Sequence, residues 1–365
     1  MSQEQNGLHK KKRSDQQKKG KSGKGVRVTL IVLCVVLALI LIIGVAAVLF
    51  MKFGVLNRIN YENDSATISR EEAESIAQQE WEEIDPDNTD PIFDENEITF
   101  EDDVQHEGQG EHIVNIMLVG QDAREGQGRQ RSDSMMLVTF NKKKGTITLT
   151  SFMRDEYVQI PGYGATKLCH AYAYGGMDLL NQTLYNHYGI EIDGNLEVDF
   201  SGFEDIIDYL GGVDIELTSA EAKYLKQAGH GYVKKGMCHL KGSTALLYAR
   251  LRSIDNDYNR AERQRKVMLS LIDAYKDLSK TEMMTALYDI LPYLTTNMSQ
   301  QQIVGYATDL FPMLSGAEVE TLRIPVDGTF KTGYIKVSEG MKLWCQLKID
   351  FEANRKVLDE VFGEE

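Results

Sequence analysis

Cysteine is scarce in this chain, 4 in 365 residues, which excludes a disulfide-stapled miniprotein. Proline is scarce too, 6 in all. With 42% hydrophobic and 26% charged residues, the composition is that of a globular protein, neither collagen-like nor disordered. The standard signatures are missing: no G-x-x-x-x-G-K-S/T, no G-x-S-x-G, no H-E-x-x-H and no C-x-x-C occurs. Gly126-Gln127-Gly128 is too short for a nucleotide fingerprint. Positive charge is the last shortage. Residues 1–28 hold nine Lys/Arg and two Asp/Glu, whereas residues 29–365 hold 31 Lys/Arg against 53 Asp/Glu. So acidic a body is a poor match for a phosphate backbone, and nucleic acid is not an expected partner.

One long apolar run is present. Val28 to Met51 gives 24 residues without charge, about 36 Å as a helix against a hydrocarbon core of about 30 Å. It is too long for a signal-peptide core and no A-x-A site closes it, so an uncleaved anchor is expected. Nine basic residues precede it, Lys10 to Arg27, and an acidic stretch follows. The positive-inside rule then predicts a single-pass protein of the cell membrane. Its tail, residues 1–27, is cytoplasmic, and about 310 residues lie outside. Three of the cysteines, Cys169, Cys238 and Cys345, fall in the outer part, which allows at most one disulfide among them.

Residues 52–111 are acidic and irregular, with Pro86 and Pro91, and read as a stalk carrying one short helix opened by Ser69 and Glu72. A core follows over 112–280. Strands are expected at Ile113–Val119, Met135–Phe140, Thr146–Phe152, Leu196–Val198 and Val213–Leu217. Helices are expected at Met177–His187, Ser201–Leu210, Ser243–Arg250 and Arg260–Leu278. This alternation implies an α/β fold, a sheet between two helical layers. Residues 281–365 are expected to be a C-terminal extension completing the extracellular domain, with a strand near Val319–Ile324 and a helix over Phe351–Phe362.

The residues that carry chemistry are arginines and aspartates near strand ends, where open α/β sheets bind ligands. Arg154 ends the third strand in SFMRDEY and Lys167 opens the next segment. Arg250 and Arg252 end one helix; Arg260, Arg263 and Gln264 share a face of the next. Arginine grips phosphate oxygens in bidentate fashion at every relevant pH, so the set reads as a phosphate or pyrophosphate site. Asp122 (VGQDARE) and Asp133 (QRSDSMM) suit Mg²⁺, or one of them a base, though aspartates there also serve as turn caps. Cys169-His170 and Cys238-His239 match no zinc ligand spacing. Tyr172, Tyr174, Tyr185 and Tyr188 read as packing rather than a carbohydrate platform.

Five ordered blocks carry a specific resemblance: QRSDSMMLVTF, SFMRDEYVQIPGYG, TKLCHAYAYGG, VDFSGFEDIIDYLGGVDIEL and GMCHLKGSTALLYARLRSIDNDYNRAERQRKVM. Together, over about residues 113–278, they resemble the LytR-CpsA-Psr family. The resemblance implies a three-layer α/β/α sandwich that holds a polyprenyl pyrophosphate. It also implies Mg²⁺-dependent phosphotransfer of a glycopolymer, such as teichoic acid or capsular polysaccharide, from that lipid to peptidoglycan. The family's metal-site aspartates fall on Asp122 and Asp133. Its pyrophosphate-binding residues fall on Arg131, Arg154, Lys167, Arg250, Arg252, Arg260 and Gln264. Catalysis is then expected from Asp122, Asp133 and Arg154, with the lipid tail in an apolar groove near helices of Met177 to Leu210. Met153 replaces a usual proline and Cys169 a usual polar residue; neither removes a charged group. A phosphatase or lipid carrier would use the same site. The older reading of a transcriptional attenuator has only about 27 cytoplasmic residues to work with.

Overall fold

The computed structural model describes residues 54, 56–62, 66–85, 89–100, 106, 108–121, 129–276, 278–314 and 316–363. The basic tail, the run Val28 to Met51 and Asp122 lie outside them. Among the described residues no helix is long and apolar enough to cross a membrane. The chain divides into units 1–57 and 58–365, and every element below belongs to the second.

The elements run β1 (Asn60–Tyr61), α1 (Arg70–Gln78), β2 (Glu82–Glu83), β3 (Ile92–Phe93), β4 (Ile113–Gln121), β5 (Ser132–Asn141) and β6 (Thr146–Phe152). Next come β7 (Tyr157–Ile160), β8 (Gly164–Lys167), α2 (Leu168–Tyr188), β9 (Gly194–Val198), α3 (Phe200–Tyr209), β10 (Val213–Leu217) and α4 (Ser219–Gln227). The rest are β11 (Gly236–Leu240), α5 (Gly242–Arg250), α6 (Asp257–Lys276), α7 (Lys280–Ile290), β12 (Thr295–Thr296), α8 (Gln300–Leu314), β13 (Glu318–Ile324), β14 (Lys331–Ser338), β15 (Met341–Leu347) and α9 (Phe351–Phe362).

The main sheet is mixed, in the order β1-β12-β9-β4-β5-β6-β13. Strand alternation divides its side chains between two helical layers. Met117, Val119, Met135 and Leu137 point into one core with Leu180 and Leu184 of α2 and Leu358 and Phe362 of α9. Ile116 packs with Leu310 of α8, and Met136 and Val138 with Met268 and Leu269 of α6, on the other face. The β5–β6 hairpin turns where Asn141 Oδ1 accepts from the amides of Lys143 (3.1 Å) and Lys144 (2.9 Å) and Gly145 takes φ +72°. A third core joins hairpin β10–β11 to α3, α4, α5 and α6 through Ile207, Leu225, Tyr248 and Val267.

One expectation about the domain layout is corrected. The acidic stretch 52–111 is not a free stalk. Its β1 pairs with β12, its β2 with β15 and its β3 with β14, and Ala73 of α1 sits in the core with Met117. Strands β1, β2 and β3 are each only two residues long, too short for an alternating pattern to be read from the sequence. Residues 281–365 supply β12 and β13 to the main sheet, and their α8 and α9 pack on its two faces. The capping box is as expected: Ser69 Oγ accepts from Glu72 N and Glu72 accepts from Ser69 N.

Helix α2 begins nine residues before the expected Met177 and kinks at Gly175–Gly176. A Cβ on Gly176, at φ +64°, would come within 2.5 Å of Arg129 Nη1 and 2.9 Å of Glu62 Oε1. Tyr172, Tyr174 and Tyr188 are core residues, whereas Tyr185 is exposed.

Candidate active site

Arg154 stands on the turn that follows β6. Glu156 braces that turn from beneath. Its carboxyl accepts from Met153 N at 2.9 Å and from the Tyr188 hydroxyl, and burial raises its pKa to about 8. Lys167 ends β8 and precedes α2. Its Nζ lies 2.9 Å from Asp155 Oδ1 and 2.7 Å from Glu80 Oε2. Arg154 pairs with Glu80 and Asp133, and its Nε lies 3.4 Å from Asp155. Arg131 Nη1 is 2.9 Å from Glu80 Oε1. Burial alone would raise the pKa of Glu80, but Arg154 and Lys167 hold it down at about 2. Burial alone would lower the pKa of Arg154 and of Lys167, but the carboxylates of Asp133, Asp155 and Glu80 raise the first and those of Asp155 and Glu80 the second.

The network continues across the site. Arg252 Nη2 approaches Asp133 Oδ1 at 3.5 Å, and Arg252 Nε approaches Asp257 Oδ1 at 3.2 Å. Arg260 Nη1 is 3.2 Å from the same Asp257 oxygen. Among the described residues, Arg260 Nε and Nη1 and Arg131 Nη1 are buried without an aligned hydrogen-bond acceptor. A buried unsatisfied donor costs about 1–3 kcal/mol, which an anion placed there would recover.

Beside this cluster opens a cavity of about 260 Å³. Leu118 and Met136 of the sheet, Phe203 and Ile206 of α3, Leu246 of α5 and Met268 and Leu271 of α6 line it, with Asp133, Arg250 and Gln264 among its polar wall. Arg250 stacks 3.9 Å over the Phe200 ring, and Gln264 Oε1 accepts from Ser134 Oγ at 3.2 Å. The expected groove is thereby relocated. α3 contributes, but α2 faces the core on the opposite side of the sheet, and α5 and α6 supply the remaining helical wall. A larger open groove of about 980 Å³ between β10–β11 and α6 lacks all of these cations.

Of the expected residues, the structure gathers Arg131, Arg154, Lys167, Arg252, Arg260 and Asp133 into one ion-pair network, with Arg250 and Gln264 on the adjoining wall. Arg263 is elsewhere. Its guanidinium is 2% exposed, lies 2.9 Å from Glu221, donates to Leu251 O at 2.5 Å and pairs with Asp255. It braces the loop that carries Arg252 instead of facing a ligand. Sequence reasoning missed Glu80, Asp155 and Asp257. The last lies one helical turn before Arg260, and Asp155 lies inside the SFMRDEY block; Glu80 has no local signal at all.

Two metal readings were open. The guanidinium contacts of Asp133 fall on Oδ1, and a carboxylate with a second oxygen outside those pairs is the hard donor Mg²⁺ takes beside phosphate oxygens. The Cys169-His170 pair does lie within 4.8 Å of Glu80. Lys167 and Arg154 already engage that carboxylate, however, and burial pushes the Cys169 thiol up to about 12, which disfavours thiolate coordination. Cys238 and His239 bond instead to Lys234 and Asp214 in the β10–β11 region. Cys169, Cys238 and Cys345 are all free thiols.

Fold and site together define a mixed α/β protein that presents a cationic cluster at the edge of an apolar cavity, the arrangement that receives an anionic amphiphile. A family model described as LytR_cpsA_psr matches residues 70–348, and the chain belongs to that family. It is 35% identical over 260 residues to the polyisoprenyl-teichoic acid–peptidoglycan teichoic acid transferase TagT of Bacillus subtilis (strain 168), which covers 69% of this chain and 76% of that one. It is 36% identical over 222 residues to the teichoic acid transferase TagU of Bacillus anthracis (strain CDC 684 / NRRL 3495), over 59% and 70%. Among solved structures, TagT bound to LIIa-WTA aligns with a TM-score of 0.56 and 31% identity, over 71% of this chain and 94% of that one. A LytR-CPS2A-psr family protein, YwtF (TagT), with bound octaprenyl pyrophosphate lipid aligns with a TM-score of 0.53 and 29% identity, over 71% and 94%.

Proposed function

We propose that this protein is a phosphotransferase that moves a glycopolymer, teichoic acid or a related polysaccharide, from a polyprenyl pyrophosphate carrier to peptidoglycan. The observation that carries the reading is the adjacency of five cations to an apolar cavity. A diphosphate head and a hydrocarbon tail on one molecule satisfy both at once. Arg131, Arg154 and Lys167 would hold one phosphate, and Arg252 and Arg260 the other, as phosphate oxygens take the place of carboxylate partners. The same guanidiniums stabilise the charge that develops on the departing lipid phosphate, in a frame fixed before the substrate arrives. A sugar hydroxyl attacks the polymer-side phosphorus, the bond to the bridging oxygen breaks, and polyprenyl phosphate leaves.

Asp133, with Asp122, would hold Mg²⁺, which supplies Lewis-acid stabilisation of the phosphate oxygens. Residues 28–51 would anchor the chain in the cytoplasmic membrane with the catalytic domain outside, where lipid carrier and peptidoglycan meet. The test is product analysis with the full-length chain in vesicles, glycopolymer-linked polyprenyl pyrophosphate and peptidoglycan. The expected product is a new phosphodiester between polymer and peptidoglycan, released together with polyprenyl phosphate. Release of polymer phosphate without a new diester would make the protein a phosphatase and overturn the reading.

A further inference from the structure

The small sheet that carries β14 and β15, in the order β2-β15-β14-β3, has two unlike faces. Ile335, Leu343, Cys345 and Leu347 turn inward and form a core with Trp81 and Phe93. Strand alternation puts Tyr334, Trp344 and Gln346 on the other face. Tyr334 and Trp344 are register partners, with ring centres 5.2 Å apart and planes inclined by 74°. Both are half-buried, and neither belongs to the core beneath. Tyr334 lies across the sheet. Its hydroxyl donates to Glu82 Oε2 at 3.1 Å, on the far side of β15, and Lys342 Nζ sits 3.7 Å from the centre of its ring. Lys342 is 4% exposed, so it supports the ring from below and leaves the opposite ring face open.

This face begins at the Arg154 turn. Gln346 N donates to Asp155 O at 2.8 Å, and Gln346 bridges to Glu156. Gln346 Nε2 donates at 3.1 Å to the hydroxyl of Tyr258, the residue after Asp257. Trp344 follows two residues along the strand, about 7 Å away. We propose that the outward face of β14 and β15, built on Tyr334 and Trp344, is the acceptor subsite, a platform for a glycan strand of peptidoglycan; the inference rests on the transferase reading above. The attacking hydroxyl must reach phosphates held by the cationic cluster, so its glycan has to leave that cluster by a route the lipid tail does not fill. The apolar cavity takes no residue from β14 or β15, and β15 departs from the Arg154 turn itself. Sugar rings stack their flat C–H faces on aromatic rings of this kind. Gln346 is 3% exposed and its Oε1 is buried without a hydrogen-bond donor, which a sugar hydroxyl at the start of the platform would supply. Lys336, exposed two residues beyond Tyr334 on the same face, suits the carboxylates that peptidoglycan carries on its stem peptides.

The probe is soluble, uncross-linked glycan strands of peptidoglycan, added to the full-length protein in vesicles and read by tryptophan emission and by the acceptor KM of transfer. Trp344 is one of two tryptophans, and the other, Trp81, packs against the core behind the sheet. Saturating strands are expected to shift the wild-type emission and to leave that of Trp344→Phe unchanged, a variant that keeps a ring on the platform. Tyr334→Ala is expected to raise the acceptor KM about tenfold or more, with octaprenyl pyrophosphate affinity within about threefold. Emission that does not respond in the wild type, or that responds equally in Trp344→Phe, overturns the proposal. So does an unchanged acceptor KM in Tyr334→Ala. If that variant loses lipid affinity as well, it has lost its fold, and the two emission measurements decide alone. A response to lipid-linked polymer but not to glycan strands would give the face to the donor chain and likewise overturn the proposal. A wild type whose emission shifts with glycan strands yet makes no diester would sink the transferase reading, a different failure from any of these.

Discussion

Glu80 and Arg154 form an ion pair across 74 residues of sequence, and that pair ties the acidic N-terminal stretch to the centre of the cationic cluster. Glu80 also meets Arg131 and Lys167, so one carboxylate spaces three cations that would otherwise repel one another. Its folded pKa, about 2, lies below the ordinary 4.5. A depressed carboxylate contributes stability above its unfolded pKa and loses it as pH falls through the folded one. Glu80→Gln is therefore expected to cost roughly 2–3 kcal/mol at pH 7. Chemical denaturation at pH 7 and again near pH 2 should show that cost shrinking in acid; an equal cost at both would contradict the pairing.

Glu156 predicts the opposite sign. Its carboxyl is fully buried and its pKa is raised to about 8 from 4.5, so the folded state prefers the protonated form. Wild-type stability should fall as pH rises from about 5 to about 8. Glu156→Gln is neutral throughout and should escape that fall, becoming more stable by on the order of 2 kcal/mol or more at pH 8. Denaturation midpoints across that range decide it, and parallel curves for the two proteins would refute it.

Arg263 separates stability from binding. Its guanidinium is buried between Glu221, Asp255 and the Leu251 carbonyl. Arg263→Ala leaves two carboxylates without their partner and should cost about 3–5 kcal/mol in stability. At a temperature where the variant is folded, lipid pyrophosphate affinity should change far less than in Arg154→Ala. Equal losses of affinity would return Arg263 to the binding set.

Leu246 tests the cavity. It lines the apolar wall, and Leu246→Trp would fill part of the roughly 260 Å³ available. Affinity for a long polyprenyl pyrophosphate is expected to fall about tenfold or more, while inorganic pyrophosphate is bound as before. Loss of both ligands together would mean that the tail lies elsewhere.

Much of this was legible in the sequence because strands and helices here follow their apolar periods closely. Thr146–Phe152, Val213–Leu217 and Phe351–Phe362 are bounded as the pattern predicts. The helix opening at Leu168 was not, since an N-terminal turn that is buried all round has no amphipathic stripe to read. The arginines were visible because cations stand out in an acidic body. Their carboxylate partners were not, for the same reason: Glu80 is one acidic residue among many, and only folding brings it to Arg154. Arg263 shares a helix face with residues of the site, yet the α4 residue Glu221 captures it, a tertiary contact that spacing does not reveal.

The most direct test of the central claim is the affinity of the full-length protein for a polyprenyl pyrophosphate, wild type against Arg154→Ala, at low and at physiological salt. The account predicts tight binding by the wild type that weakens with salt, and a loss of about tenfold or more in the variant. Equal affinity in the two proteins would mean that these guanidiniums do not hold the diphosphate.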